Sequence, residues 1–191
     1  EPLLKEETSE PFTSLLVTLA QAKRDEAPSA NLETQGKADG NALFLAGEGR
    51  KSGARDDKKF IEILGTRSLI QLHLATFKEY DKLSKVGGIE KAIMAEGRAD
   101  VDDGYIALVK TATGDLMDFF ADRLYKAMKG MGTDDETLIR VIVGRSETDL
   151  KNIKEQFMAK YGVSLIDFVK DDTSGNFRDL LVRILEGNMT A

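Results

Sequence analysis

Leu138-Ile139-Arg140-Val141-Ile142-Val143-Gly144-Arg145-Ser146 repeats the pattern of Phe60-Ile61-Glu62-Ile63-Leu64-Gly65-Thr66-Arg67-Ser68 at a constant offset of 78 residues. Asp56-Asp57 and Asp134-Asp135 keep the same offset. In each copy a helical stretch then runs to a tyrosine, Tyr80 or Tyr161, followed by an acidic loop holding Glu96 or Asp172. Glu6-Glu7-Thr8-Ser9-Glu10-Pro11-Phe12 resembles Asp171-Asp172-Thr173-Ser174-Gly175-Asn176-Phe177, so the chain begins inside the last part of a further copy. Units of this length point to repeated helical modules.

Working outward, the local pattern is helical nearly throughout. Leu116, Phe119, Phe120, Leu124 and Met128 recur every three to four residues, and Leu138, Ile139, Ile142 and Val143 do the same. Leu150, Ile153, Phe157 and Met158 carry a helix that Gly162 closes. Leu165, Ile166, Phe168 and Val169 form a short apolar turn. Phe177, Leu180, Leu181, Ile184 and Leu185 form a last helix that stops near Gly187. This gives an all-α chain with five short helices per copy. Residues 25–40, rich in Ala, Asp, Gly and Ser with Pro28, read as a linker. The boundaries that follow are 1–24, 41–112 and 115–187.

Composition narrows the function classes. The 191 residues carry a net charge of −6, with 31% charged and 41% hydrophobic residues. An acidic chain does not seek nucleic acid or anionic lipid by bulk electrostatics, and its aromatic residues sit at helical spacing without a platform for stacking bases. Binding to an anionic surface therefore needs a divalent ion to reverse the sign locally. No apolar run reaches the length of a transmembrane helix. There is no cysteine, which excludes disulfides and thiolate chemistry and fits a reducing, cytoplasmic compartment. Because the chain starts at Glu1, a targeting signal ahead of it is not read, and an extracellular location stays open. One histidine, His73, amid leucines, and no nucleophile–base pair, argue against an enzyme.

The chemistry is in the loop Met128-Lys129-Gly130-Met131-Gly132-Thr133, answered forty positions after Gly132 by Asp172. Two glycines let the backbone turn its carbonyls outward. Thr133 is expected to open the next helix, with Glu136 completing a capping box. Carbonyl oxygens plus a carboxylate from elsewhere suit a hard cation such as Ca²⁺. Asp100-Val101-Asp102-Asp103-Gly104 fails as an EF-hand loop, since Ala99 and Lys110 fall where acids are required, and reads as a helix start.

Lys129-Gly130-Met131-Gly132-Thr133-Asp134, Leu138-Ile139, Arg145-Ser146 and Asp172 together resemble an annexin repeat. The resemblance implies that residues 1–24 end a second repeat and that the third and fourth follow. It implies five helices per repeat in a right-handed superhelix, with calcium sites that dock reversibly to acidic phospholipid membranes. It implies as Ca²⁺ ligands the carbonyls of Met128, Gly130 and Gly132 with both oxygens of Asp172. That is about five of the six to eight such an ion prefers, which leaves room for water or a lipid phosphate. A secondary ion is implied at the Thr133 carbonyl and Asp135, and Met131 at the loop tip is placed to contact the membrane. Glu96 is the corresponding carboxylate of the third repeat. There Ala54 stands in place of Gly132 and Arg55 in place of Thr133, and altered spacing and a nearby arginine oppose a cation. Glu7 lacks its glycine loop and forms no site alone. Arg67 and Arg145 are expected to bond carbonyls. Arg50, Lys51, Arg55, Lys58 and Lys59 suggest a second role, as a scaffold binding a cytoskeletal or other protein partner.

Overall fold

The computed structural model describes residues 2–187, and every regular element among them is helical. The chain divides into two compact units, meeting between Thr113 and Gly114. The first contains α1 (Pro2–Glu7), α2 (Phe12–Ala20), α3 (Leu32–Ala46) and α4 (Asp57–Thr66). It continues with α5 (Leu69–Gln71), which passes through a π-helical turn (Leu72–Thr76) into α6 (Phe77–Leu83), then α7 (Ile89–Met94) and α8 (Ala99–Thr113). The second contains α9 (Leu116–Met128), α10 (Asp135–Arg145), α11 (Leu150–Tyr161), α12 (Leu165–Asp172) and α13 (Gly175–Gly187).

Helix starts follow local chemistry. Asp56, Ser68, Asp134 and Ser164 precede α4, α5, α10 and α12, and each side chain accepts the backbone N–H three residues on. Gly162, at φ +70°, ends α11 in the left-handed conformation that costs glycine little. Periodic apolar residues then build one core per unit. Leu15, Leu43, Phe60, Leu64, Tyr80 and Tyr105 are fully buried in the first, and Leu124, Leu138, Ile142, Phe157 and Leu181 in the second. Each such side chain contributes about 1.5–3 kcal/mol. In the second unit Tyr125 stacks on Tyr161 at 3.9 Å and on Phe168 at 5.4 Å, joining α9, α11 and α12. Ile139 and Val143 remain exposed on α10, and Val141 is buried in their stead.

The expected linker at 25–40 is corrected from Leu32 onward, where α3 begins. Its small residues serve close packing, not flexibility. A Cβ on Gly36 would lie 2.1 Å from the Ala75 Cβ, and one on Gly40 would lie 2.7 Å from the Thr76 carbonyl oxygen. Asp39 on the same helix is buried and accepts from Arg67 at 2.7 Å. The second compact unit coincides with the 115–187 boundary, while 1–24 and 41–112 share the first unit, Leu15 of α2 being wholly buried in its core.

Candidate functional site

In the second unit α9 ends at Met128, and the chain crosses to α10 through a loop with two left-handed glycines, Gly130 at φ +131° and Gly132 at +86°. Nothing lies within 4 Å of a Cβ built on either glycine, so conformation and not crowding selects glycine there. The Asp134 amide donates to the Ala127 carbonyl at 2.8 Å and closes the loop. Among the described residues, no backbone amide donates to the carbonyls of Met128, Gly130 or Gly132. Met131 at the tip is fully exposed.

The helix cap is one residue later than the capping-box reading placed it. Asp134, not Thr133, accepts the Thr137 amide at 3.0 Å and also the Thr137 hydroxyl at 2.7 Å. The hydroxyl first, and then the amide, hold the Asp134 carboxyl below the usual aspartate range. Thr133 is thereby released, and its hydroxyl donates to Asp172 across the cleft, at 2.7 Å to Oδ2 and 3.0 Å to the carbonyl. Asp172 is the last residue of α12, so this contact brings the distant carboxylate to the loop. Thr133, Asp135, Asp172, Thr173, Ser174 and Phe177 line a cleft of about 390 Å³. Among the described residues no three His, Cys, Asp or Glu side chains converge. A cation here would rest mainly on main-chain oxygens with Asp172. The donor set fits: hard, oxygen-only, mostly neutral, and open on one side, as Ca²⁺ tolerates.

The corresponding loop of the first unit is built differently. Glu96 does not stand free; it pairs with Arg50 at 2.6 Å. Arg50 also donates to the carbonyls of Gly53 at 2.6 Å and Gly47 at 2.7 Å. Glu48, the other carboxylate in the loop, accepts from the Ser84 hydroxyl at 2.7 Å and the Lys85 amide at 2.6 Å. Arg55, at the position matching Thr133, turns inward. It is buried between the Phe60 and Tyr105 rings and bonds Asp57 at 3.0 Å and Asp102 at 2.5 Å. Asp102 also accepts the Arg98 amide at 2.7 Å near the start of α8, so Asp100–Gly104 is indeed a helix start.

Several expectations change with these contacts. Of the basic residues suggested for a protein partner, Arg50 and Arg55 are bound internally and Lys59 pairs with Glu62 at the surface, while Lys51 and Lys58 are exposed. Arg67 and Arg145 bond carboxylates, Asp39 and Asp149, rather than carbonyls. The carbonyls near Arg67 go to Arg24, which donates to those of Arg67 and Leu64. Glu7 is exposed at the end of α1, and His73 is exposed on the π-helical turn. Sequence reasoning missed two pairings, Thr133 with Asp172 and Arg50 with Glu96. The basic residues of the 47–56 loop were the only trace of the second.

Comparison with known proteins bears on the family and the fold. Residues 119–184 match the model of the Annexin family. Annexin A13 of Mus musculus is 48% identical over 183 residues, covering 95% of this chain and 56% of that protein. Annexin A11 of Homo sapiens is 40% identical over 188 residues, covering 98% of this chain and 36% of that protein. This chain thus spans about half the length of the first and about a third of the second. Among solved structures, annexin III superposes with a TM-score of 0.83 at 39% identity, covering 95% of this chain and 55% of that one. Calcium-bound annexin (Sm)1 superposes at 0.75 with 27% identity, covering 95% and 52%. With relatives 40% or more identical along nearly its whole length and solved members sharing its helices, the chain belongs to the annexin family, and its all-α architecture is the annexin repeat fold.

Proposed function

We propose that this chain binds acidic phospholipid surfaces in a calcium-dependent manner through the 128–133 loop and Asp172. The observation that carries this is the Thr133 hydroxyl holding Asp172 against a loop whose carbonyls take no amide donor. Met128, Gly130 and Gly132 would hold the ion by their carbonyls and Asp172 by its carboxylate, with Thr133 and Asp135 at a secondary position. Bound there, Ca²⁺ supplies positive charge and open coordination positions suited to a lipid phosphate oxygen. Thr133 orients the carboxylate, and Met131 offers an apolar tip at the headgroup level. The family likeness supports the reading, since a calcium-bound member shares the fold. Residues 1–24 are proposed as the end of one annexin repeat, and 41–112 and 115–187 as two more, with α3 from Leu32 joined to the former. A cytoplasmic protein recruited reversibly to membranes, without enzymatic activity, fits this role.

The test is cosedimentation with vesicles of phosphatidylserine in phosphatidylcholine. Pelleting with millimolar Ca²⁺, release by chelator, and no pelleting with phosphatidylcholine alone are expected. Pelleting that persists in excess chelator overturns the proposal, as does its absence at millimolar Ca²⁺.

A further inference from the structure

The two loops that receive a distant carboxylate meet it with different groups, a neutral Thr133 hydroxyl in the second unit and a charged guanidinium in the first. In the first unit, Gly47 and Gly53 offer main-chain carbonyls and Glu96, 46 residues beyond Arg50, offers a carboxylate. All three converge on one guanidinium: Nη1 donates to Gly47 at 2.7 Å, Nε to Gly53 at 2.6 Å, and Nη2 pairs with Glu96 at 2.6 Å. Two loop carbonyls and one carboxylate are the same class of oxygen donors that the 128–133 loop presents. We propose that Arg50 is a resident cation, filling a cradle of Gly47, Gly53 and Glu96 that would otherwise accept a divalent metal ion, so that this loop is closed to calcium and is held in shape without it.

The geometry favours the tethered charge over a diffusing one. All three guanidinium nitrogens are engaged, each with a different acceptor, which the rigid planar fork of arginine allows and a lysine does not. Gly53 sits at φ +79°, a left-handed turn at the residue whose carbonyl meets Nε. The Arg50 and Glu96 side chains keep only 28% and 15% of their accessible surface, so their attraction is partly shielded from solvent. A tethered group competes at an effective concentration of roughly millimolar or above. A carbonyl-rich site of few charges has a calcium Kd of roughly 10⁻⁴–10⁻³ M. An entering ion must therefore displace a competitor of comparable strength while meeting its positive charge. Glu48 gives no substitute ligand, being committed to Ser84 and Lys85.

The experiment counts ions bound per chain by calorimetry with Ca²⁺, and by terbium luminescence displaced with Ca²⁺, without lipid. Arg50→Ala is expected to bind one more equivalent than the wild-type chain, and Arg50→Ala with Glu96→Gln to lose that gain. Glu96→Gln alone is expected to leave the wild-type count unchanged. A folded Arg50→Ala chain, checked by circular dichroism, with the wild-type count overturns the proposal. So does loss of an ion on Glu96→Gln alone, which decides the matter even where Arg50→Ala fails to fold. The gain is read against the wild-type chain, so it holds or fails independently of whether the 128–133 loop binds calcium, which Asp172→Asn reports.

Discussion

Replacing Asp172 with Asn separates charge from shape at the 128–133 loop. Asparagine keeps an acceptor oxygen for the Thr133 hydroxyl, which lies 2.7 Å from the present carboxylate. The fold should therefore lose no more than about 1 kcal/mol, the net worth of one hydrogen bond. The ion loses its one formally charged ligand. At the roughly 2.5 Å separation of a calcium–oxygen bond, a divalent ion and a carboxylate attract by about 3 kcal/mol at the dielectric of water. That screening suits a cleft open to solvent, and the energy corresponds to about two orders of magnitude in affinity. Vesicle cosedimentation across a calcium titration should thus show the half-maximal Ca²⁺ concentration rising about a hundredfold, while the urea midpoint barely moves. A rise below about threefold in a normally stable variant would refute the reasoning. It would show that the carboxylate does not face the ion, or that another loop supplies the calcium dependence.

Thr133→Val should raise the half-maximal calcium concentration by about tenfold or less, since it frees Asp172 to rotate without removing its charge; the same titration reads it. Gly36→Ala should destabilise the first unit by about 1–3 kcal/mol in urea unfolding, because its Cβ would fall 2.1 Å from that of Ala75. Met131→Ser should weaken vesicle binding about five- to tenfold, since partial burial of one methionine contributes about 1–1.5 kcal/mol. Calcium binding measured without lipid should be unaffected by Met131→Ser. A loss from Met131→Ser equal to that from Asp172→Asn would make apolar insertion, not ion bridging, the main source of membrane affinity.

Much of the fold was legible because the helices declare themselves by period: Leu138 and Ile142 recur on one face and are buried together. The segment 25–40 misled because glycine has two meanings. It loosens a chain that touches nothing, and it permits close approach where another backbone passes, and only the position of Ala75 and Thr76 decides between them. The loop with Asp172 was legible as a pair, since residue types and spacing state the donors. The role of Thr133 was not, because a threonine ahead of two aspartates reads as readily as a helix cap. The structure resolves this by what each group can give. A carboxylate only accepts, so Asp134 takes the Thr137 amide and hydroxyl in α10's first turn, and the Thr133 hydroxyl, free to donate, goes to Asp172. Arg50 was visible only as nearby charge, since sequence does not tell whether a long side chain reaches out to solvent or folds back over its own loop.

That distinction governs how the chain would respond to calcium. A guanidinium held by covalent attachment cannot be chelated, diluted or exchanged, so on this proposal the 47–53 loop would keep its form without calcium. The 128–133 loop holds its distant carboxylate through the Thr133 hydroxyl instead. Lys129 within it lies 5.0 Å over the Tyr125 ring. On the proposed function, sensitivity to chelator would then arise in the second unit, where the Thr133 hydroxyl holds Asp172 at the loop. The first unit contributes packing and a fixed surface. On the same reading, a tethered cation at one loop and an open second loop would make membrane binding answer to the 128–133 loop alone. The calcium response of vesicle binding should accordingly be shallow in the wild-type chain and steepen in Arg50→Ala, where two loops must fill.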